Sequence, residues 1–258
     1  MFFVEPPPSP YDLHFNVGDV PVRVHWTFWL MTLLLGAGAD GDPARVLLWT
    51  VAEFACILVH ELGHVAAFRY YGMNAHVVLH SFGGLAIPTS GRWGGRGRSR
   101  ETWLADVVIS LAGPVAGFAF AAVIFLGLAL GGRAPHLHFD LVSSVPIFVE
   151  WEPFNANNVN RLLQYMQFIN IFWGLVNLLP IIPLDGGQVA RAVAAKVYPA
   201  DGLRLSLILS VVAAVGMAAF CFLRWEEVFA AIFFAYMAYQ SYQMLQQVSG
   251  GGFGGRGW

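Results

Sequence analysis

The 258-residue chain has little charge, few cysteines and too few basic residues for a broad cationic surface. Charged residues make up 12% of it and apolar residues 57%, whereas soluble domains contain roughly 25% charged residues. The net charge of −2 and the 14 Lys plus Arg exclude a nucleic-acid partner, because phosphate binding needs concentrated positive charge. Cys56 and Cys221 lie in apolar runs and exclude a disulfide framework. This composition favours lipid as the main solvent of the chain.

The N-terminus also lacks the basic start of a cleavable signal peptide and carries three consecutive prolines, so we expect no such peptide. The composition divides the chain into three parts. We predict an N-terminal segment over residues 1–23, a transmembrane domain over 24–248 with its core at about 46–190, and a flexible glycine-rich tail over 249–258.

Long apolar runs are what the sequence has in abundance, and about 20 such residues cross a bilayer. Between the second and third runs, Ala75–Thr89 is short, rich in β-branched residues and interrupted by Gly83 and Gly84, which predicts a hairpin or re-entrant segment. The predicted fold class is therefore an all-α polytopic membrane protein with about six transmembrane helices and a short membrane-associated β-hairpin. The six predicted spans are Val24–Ala39, Val46–Phe68, Val107–Leu130, Leu162–Ile182, Leu205–Leu223 and Val228–Leu245.

The basic residues of the loops predict the orientation of these spans, because they accumulate on the cytoplasmic side. Six spans with both termini in the cytoplasm place ten Lys and Arg inside, including the cluster Arg92, Arg96, Arg98 and Arg100. Four remain outside, namely Arg45, Arg133, Arg161 and Arg224. We therefore expect an integral, multi-pass protein of a bacterial-type cell membrane.

Three polar residues interrupt the second span and carry the chemistry. His60, Glu61 and His64 form an H-E-x-x-H pattern, in which positions i and i+4 put both imidazoles on one helix face, close enough to share a zinc ion. Each charged side chain at the bilayer centre costs about 2.5 to 3.5 kcal/mol on insertion scales. A bound metal ion would offset that cost, and Glu61 would be placed to deprotonate a metal-bound water.

A hydrolytic zinc site commonly has a third protein ligand, and Asp185 is the best candidate. Under the predicted topology, Asp185 ends the fourth span on the cytoplasmic side, where the two histidines also lie. Glu53 and Cys56 are alternatives on the histidine face, but we interpret both as interior groups because a helix that supplies ligands at i and i+4 points further residues away from the metal. Iron or cobalt would also suit two imidazoles and a carboxylate.

A second motif follows the fourth span, where Asn177, Pro180, Pro183, Asp185 and Gly186 form the pattern N-x-x-P-x-x-P-x-D-G. Together with H-E-x-x-H, it resembles the paired signature of the site-2 protease family. Two further segments between the motifs are similar to elements of that family: Leu111, Ala112, Gly113 and Pro114, and the Phe82, Gly83 and Gly84 of its hairpin.

The resemblance implies one Zn²⁺ held by His60, His64 and Asp185, with Glu61 as general base and acid. It also implies that Asn177 lies near the substrate backbone or the oxyanion, although an interhelical polar contact would explain this amide equally well. Gly83 and Gly84 would contact the substrate. The expected activity is hydrolysis of a peptide bond in or near a transmembrane helix of a membrane-protein substrate, in a minimal form of the family without an evident regulatory domain.

Two other functions remain open from the sequence. A zinc-binding or zinc-transporting membrane protein would use further histidines as ligands along a path for the metal ion. His80 is the one further histidine that we consider a candidate for such a path. A metal-bound pseudoenzyme would have lost Glu61 or a ligand, and this chain has lost neither. The sequence selects no particular substrate, activating signal or oligomeric state, and leaves the roles of Glu53 and His80 open.

Overall fold

A computed structural model describes residues 5–37, 42–90, 102–140 and 147–250. The basic cluster at 91–100 and most of the glycine-rich tail lie outside the described residues. The chain divides into two compact units. The first contains the described residues up to 90, 112–139 and 147–175, and the second contains 102–111, 140 and 176–250.

The chain is mostly helical, as predicted, but its first unit contains a four-stranded sheet, which is larger than the predicted β-hairpin. Its strands are β1 (Leu13–Val17), β2 (Val20–Val24), β3 (Asn74–His80) and β4 (Gly83–Ser90), in the order β1-β2-β3-β4. β1 pairs with β2 and β3 with β4 in antiparallel fashion, whereas β2 and β3 are parallel. The predicted N-terminal segment thus supplies two strands, because its β-branched residues pack against β3 with Val22, Val24 and Val77 almost fully buried.

Two helices connect β2 to β3. α1 spans Trp26–Ala37 and α2 spans Pro43–Tyr70. The sequence placed the start of α2 three residues too late, since Pro43 occupies the first turn and the Asp42 side chain accepts a hydrogen bond from the Ala44 N–H. Both are standard helix-starting features.

After α1, the helix Asn157–Phe168 and a π-helical turn also pack against α2. α3 (Thr102–Leu130) contains Pro114 in its interior, and its residues up to 111 belong to the second unit. A small sheet of β5 (His136–Phe139) and β6 (Ile147–Glu150) lies in the connection to α4 (Asn157–Phe168). A π-helical turn, Ile169–Trp173, and the short α5, Gly174–Asn177, follow directly. The predicted fourth span is therefore an interrupted helix that ends before the prolines.

The second unit contains three helices after an irregular segment at 178–184: α6 (Asp185–Val197), α7 (Gly202–Arg224) and α8 (Val228–Gly250). α7 packs along α8, and α6 packs on α7. Three described helices are long and apolar enough to cross a membrane, namely Pro43–Tyr70, Trp103–Leu130 and Gly202–Arg224, and α1 is a shorter apolar helix. These helices agree with a membrane protein.

Candidate metal centre

Two imidazoles face each other on the buried side of α2. The Nε2 atoms of His60 and His64 lie 3.2 Å apart, and each residue is only 7% exposed. One helical turn separates the two residues, as the i and i+4 spacing requires. Two nitrogens bound at 2.0 to 2.1 Å to one tetrahedral zinc ion would lie about 3.3 Å apart. The pair therefore has the spacing of two ligands of one metal ion.

Helix α3 approaches these imidazoles at Gly113, where no side chain has room. A Cβ added there would overlap Nε2 of His64 and would lie 2.6 Å from Nε2 of His60. α2 is equally close at Gly63, whose added Cβ would overlap the Ala112 carbonyl. Because glycine has no side chain at these two positions, the helices can touch. A metal ion shared by both imidazoles would lie in the space in front of the two Nε2 atoms.

The strand β4 passes over Glu61, which is 4% exposed. A Cβ added at Gly84 would overlap Cγ of Glu61 and would lie 2.5 Å from its Oε1. The backbone of β4 is thus in contact with the carboxylate that follows His60 in the chain. Within the described residues, β4 is also the last strand of its sheet, so a backbone edge lies beside this carboxylate.

Asp185 and Asn177, predicted from the second motif, belong to the second unit. Asp185 is the first residue of α6 and is partly buried. A helix N-terminus favours a carboxylate at this position. Asn177 ends α5 and is 7% exposed. Among the described residues, one group of three or more His, Cys, Asp and Glu could hold a metal: each of His60, His64 and Asp185 offers one ligand atom, and these atoms lie within 4.8 Å of one another.

The alternative ligands on α2 are engaged elsewhere. The Glu53 carboxylate accepts a hydrogen bond of 2.7 Å from the Trp49 indole. Cys56 Sγ accepts one of 3.1 Å from the amide of Asn170, which lies in the π-helical turn and also donates to the Met166 carbonyl of α4. These partners give Glu53 and Cys56 an interior role in the packing of α2.

His80, the histidine singled out from the sequence, ends β3 and is 4% exposed. Burial, followed by the electrostatic effect of the neighbouring His25 and Arg23, lowers the pKa of His80 to about 4. The imidazole is therefore neutral at pH 7. The Arg23 guanidinium forms ion pairs of 2.7 Å with Glu5 and 3.0 Å with Asp12.

Sequence reasoning did not assign the contacts of Gly113 and Gly84 with the histidines and Glu61. Their motifs were visible, since Gly113 lies in the segment beginning at Leu111 and Gly84 was a candidate substrate contact. The available signal was the presence of glycine in a helix and in a strand, where it is otherwise unfavourable.

Comparison with known proteins agrees with this arrangement. The family model described as Peptidase family M50 matches residues 49–223. The chain is 24% identical over 192 residues to the zinc metalloprotease MJ0392 of Methanocaldococcus jannaschii, with 71% of this chain and 45% of the relative covered. It is 30% identical over 193 residues to Rip3 of Mycobacterium tuberculosis, with 69% and 42% covered. The chain thus spans less than half the length of these curated relatives.

A solved structure titled Site-2 Protease from Methanocaldococcus jannaschii shares the fold. It superposes with a TM-score of 0.56 at 20% identity, covering 91% of this chain and 95% of that one. The fold is thus similar to that of a site-2 protease. Because the family model covers more than half of its residues, the chain belongs to peptidase family M50.

Proposed function

We propose that this protein is an intramembrane zinc metalloprotease, which hydrolyses a peptide bond in or near a transmembrane helix of a membrane-protein substrate. The observation that carries the proposal is the group of ligand atoms from His60, His64 and Asp185, with Glu61 beside the first histidine. Membership of family M50 and the name of the Methanocaldococcus relative support the same activity.

The donor set fits one Zn²⁺. The 3.2 Å separation of the two Nε2 atoms matches two ligands of a tetrahedral ion, and a carboxylate is a common third ligand that leaves a fourth position open. When bound, zinc would polarise the scissile carbonyl and make a water acidic enough to lose a proton near neutral pH. His60, His64 and Asp185 are therefore proposed as its ligands.

Glu61 is the proposed general base and acid. Its carboxylate takes a proton from the attacking water and passes that proton to the amine of the leaving fragment. The contact with the Gly84 backbone fixes the carboxylate and leaves it few rotamers. Asn177 is proposed to donate its amide hydrogens to the substrate backbone or to the oxygen on which negative charge develops.

The substrate is proposed to bind as an added strand along β4. Helical amides and carbonyls are already hydrogen-bonded, so a substrate helix must unwind before its peptide bond can be attacked. An extended segment pairing with the edge of β4 would satisfy its backbone groups. Because Gly84 in that strand touches Glu61, a peptide paired there would run close to the proposed base. Gly83 and Gly84 would contact it.

The proposed setting is a bacterial-type cell membrane crossed six times. The three long apolar helices would be joined by α1, the interrupted helix of α4 and α5, and α8, with the β3 and β4 hairpin associated with the membrane. The distribution of Lys and Arg supports cytoplasmic termini and an active site toward the cytoplasm. The partners are the lipid bilayer and the substrate helix.

The decisive experiment compares wild type with Glu61→Gln in zinc content and in cleavage of several helical membrane substrates. We expect close to one zinc per chain in both proteins and cleavage by wild type only. Glu53→Gln is the matched control, because Glu53 is another glutamate of α2, half-buried, and its substitute can still accept the Trp49 hydrogen bond. It should retain zinc and cleavage.

Absence of zinc from wild type would contradict the proposal. Cleavage by Glu61→Gln at the wild-type rate would also contradict it. A zinc transporter predicts that Glu61→Gln still moves zinc across vesicle membranes, and such transport without cleavage would favour that alternative.

A further inference from the structure

The irregular segment that precedes Asp185 is held by its own backbone and by close packing against α6. The Leu184 N–H donates to the Ile181 carbonyl at 2.7 Å, and Ile181 is fully buried. A Cβ added at Gly187 would lie 2.5 Å from the Ile181 carbonyl atoms and 2.6 Å from the Ile182 nitrogen. The first turn of α6, which begins with Asp185, therefore rests directly on the backbone of Ile181 and Ile182.

Two serine hydroxyls contact the other polar groups of this backbone. The Ile182 N–H donates to Oγ of Ser210 on α7 at 2.8 Å, and Oγ of Ser241 on α8 donates to the Ile182 carbonyl at 3.3 Å. The two Oγ atoms lie 2.8 Å apart. Because the Ser241 hydroxyl donates its one hydrogen to the Ile182 carbonyl, the Ser210 hydroxyl must be the donor in its hydrogen bond with Ser241 Oγ. The three residues form a closed ring with every hydrogen used once.

The ring is excluded from solvent and lipid, since Ser210 and Ser241 are both fully buried. Buried backbone groups outside a helix need partners, and at membrane depth such backbone is tolerated only inside the protein. Each helix of the α7 and α8 pair supplies one hydroxyl. The α7 and α8 pair thus forms hydrogen bonds with both the N–H and the C=O of Ile182, which lies three positions before Asp185.

We infer that Ser210 and Ser241 are positioning residues for the zinc site: they hold Ile182, and through it the first turn of α6, so that the Asp185 carboxylate faces its metal. This inference rests on the proposed role of Asp185 as a zinc ligand. The two serines touch neither metal nor substrate. They act by restricting the backbone that carries the ligand.

The test measures zinc affinity of the purified protein by competition with a chelator, together with hydrogen exchange at the Ile182 amide. We expect Ser210→Ala to lower zinc affinity about 10-fold, the lower end of the range for groups that orient a metal ligand. The Ile182 amide should exchange faster in the same variant. Ser241→Ala keeps the Ile182 N–H bond and should show a smaller loss.

Ser206→Ala is the matched control. Ser206 is a buried serine of the same helix, but its hydroxyl donates within α7 to the Leu203 carbonyl. We expect this variant to keep wild-type zinc affinity and wild-type exchange at Ile182. Equal losses in Ser206→Ala and Ser210→Ala would overturn the inference, as would wild-type affinity in Ser210→Ala. If Ser210→Ala does not fold, wild-type affinity in Ser241→Ala overturns it.

Asp185→Asn separates this inference from the proposed function. If Asp185→Asn binds zinc as tightly as wild type, the proposed ligand is wrong. If Asp185→Asn weakens zinc binding and Ser210→Ala does not, only the positioning role is wrong. Adding Ser210→Ala to Asp185→Asn should lower affinity no further, because both changes act on one ligand. A further loss in the double variant would contradict the route through Asp185.

Discussion

Gly113 of α3 lies against the imidazoles of His60 and His64 on α2, so that a Cβ on it would overlap Nε2 of His64 and lie 2.6 Å from Nε2 of His60. A helix interior normally disfavours glycine by about 1 kcal/mol relative to alanine. The position nevertheless requires glycine, because any side chain would occupy the space in front of both imidazoles.

Gly113→Ala should therefore abolish or strongly weaken zinc binding, although alanine is the better helix former. The measurement is zinc per chain after dialysis against a weak chelator. Gly117→Ala is the matched control, since it lies one turn later and its Cβ would make only an ordinary contact of 3.5 Å with Oδ1 of Asn170. Wild-type zinc content in Gly113→Ala would show that the imidazoles can move aside.

Gly84→Ala should separate zinc binding from catalysis. The new Cβ would displace the Glu61 side chain, because the three atoms nearest to it all belong to Glu61. We expect normal zinc content and a fall in kcat of about 10²- to 10⁴-fold, the usual contribution of a general base. Ala86→Ser, a small change in the same strand, should retain activity. Loss of zinc together with kcat would mean that β4 supports the ligands as well.

Proline substitutions in β4 test pairing with the substrate. Successive residues of a strand direct their N–H groups to opposite edges, so Leu85→Pro and Ala86→Pro remove donors from different edges. One variant should lose its bond to β3 and become less stable. The other should keep the wild-type melting temperature and lose cleavage, because only its outer edge is blocked. If the stable variant still cleaves every substrate, strand addition at β4 is excluded.

Stability should depend on pH through His80. The unfolded chain protonates this imidazole near its ordinary pKa of 6.5, whereas the folded chain does so only at a pKa of about 4. Protons therefore bind preferentially to the unfolded state between these values, and the free energy of unfolding should fall as pH decreases from 6.5 to 4. The total decrease in the free energy of unfolding is about 3 kcal/mol. Well above pH 6.5 there is no such decrease.

His80→Gln should remove this slope, as measured by thermal unfolding of the detergent-solubilised protein over that pH range. His14→Gln, which removes an exposed histidine of β1, is the control for losing a histidine from the same sheet. An unchanged slope in His80→Gln would assign the pH dependence to other groups.

The helices were the most predictable part of the fold. Their apolar runs are long, and the bounds of α7 and α8 differ from the predicted ones only near the ends. The sheet was less predictable, although β1 and β2 each alternate apolar residues with others over five positions, as short strands do. β2 becomes a strand beside β3, which follows two helices later, and no local pattern encodes that parallel pairing.

The sequence by itself determined that His60 and His64 share a helix face, because the 3.6-residue turn sets their spacing wherever the helix is packed. It likewise identified Glu61, Asn177 and Asp185 as candidate site residues, because they occupy fixed positions in the two motifs. Only the tertiary structure decided that Gly113 lies against the imidazoles, that Gly84 contacts Glu61, and that Ser210 and Ser241 form hydrogen bonds with Ile182. Those contacts join residues far apart in the chain, and they depend on which faces pack together, a choice made by the whole fold and not by local spacing.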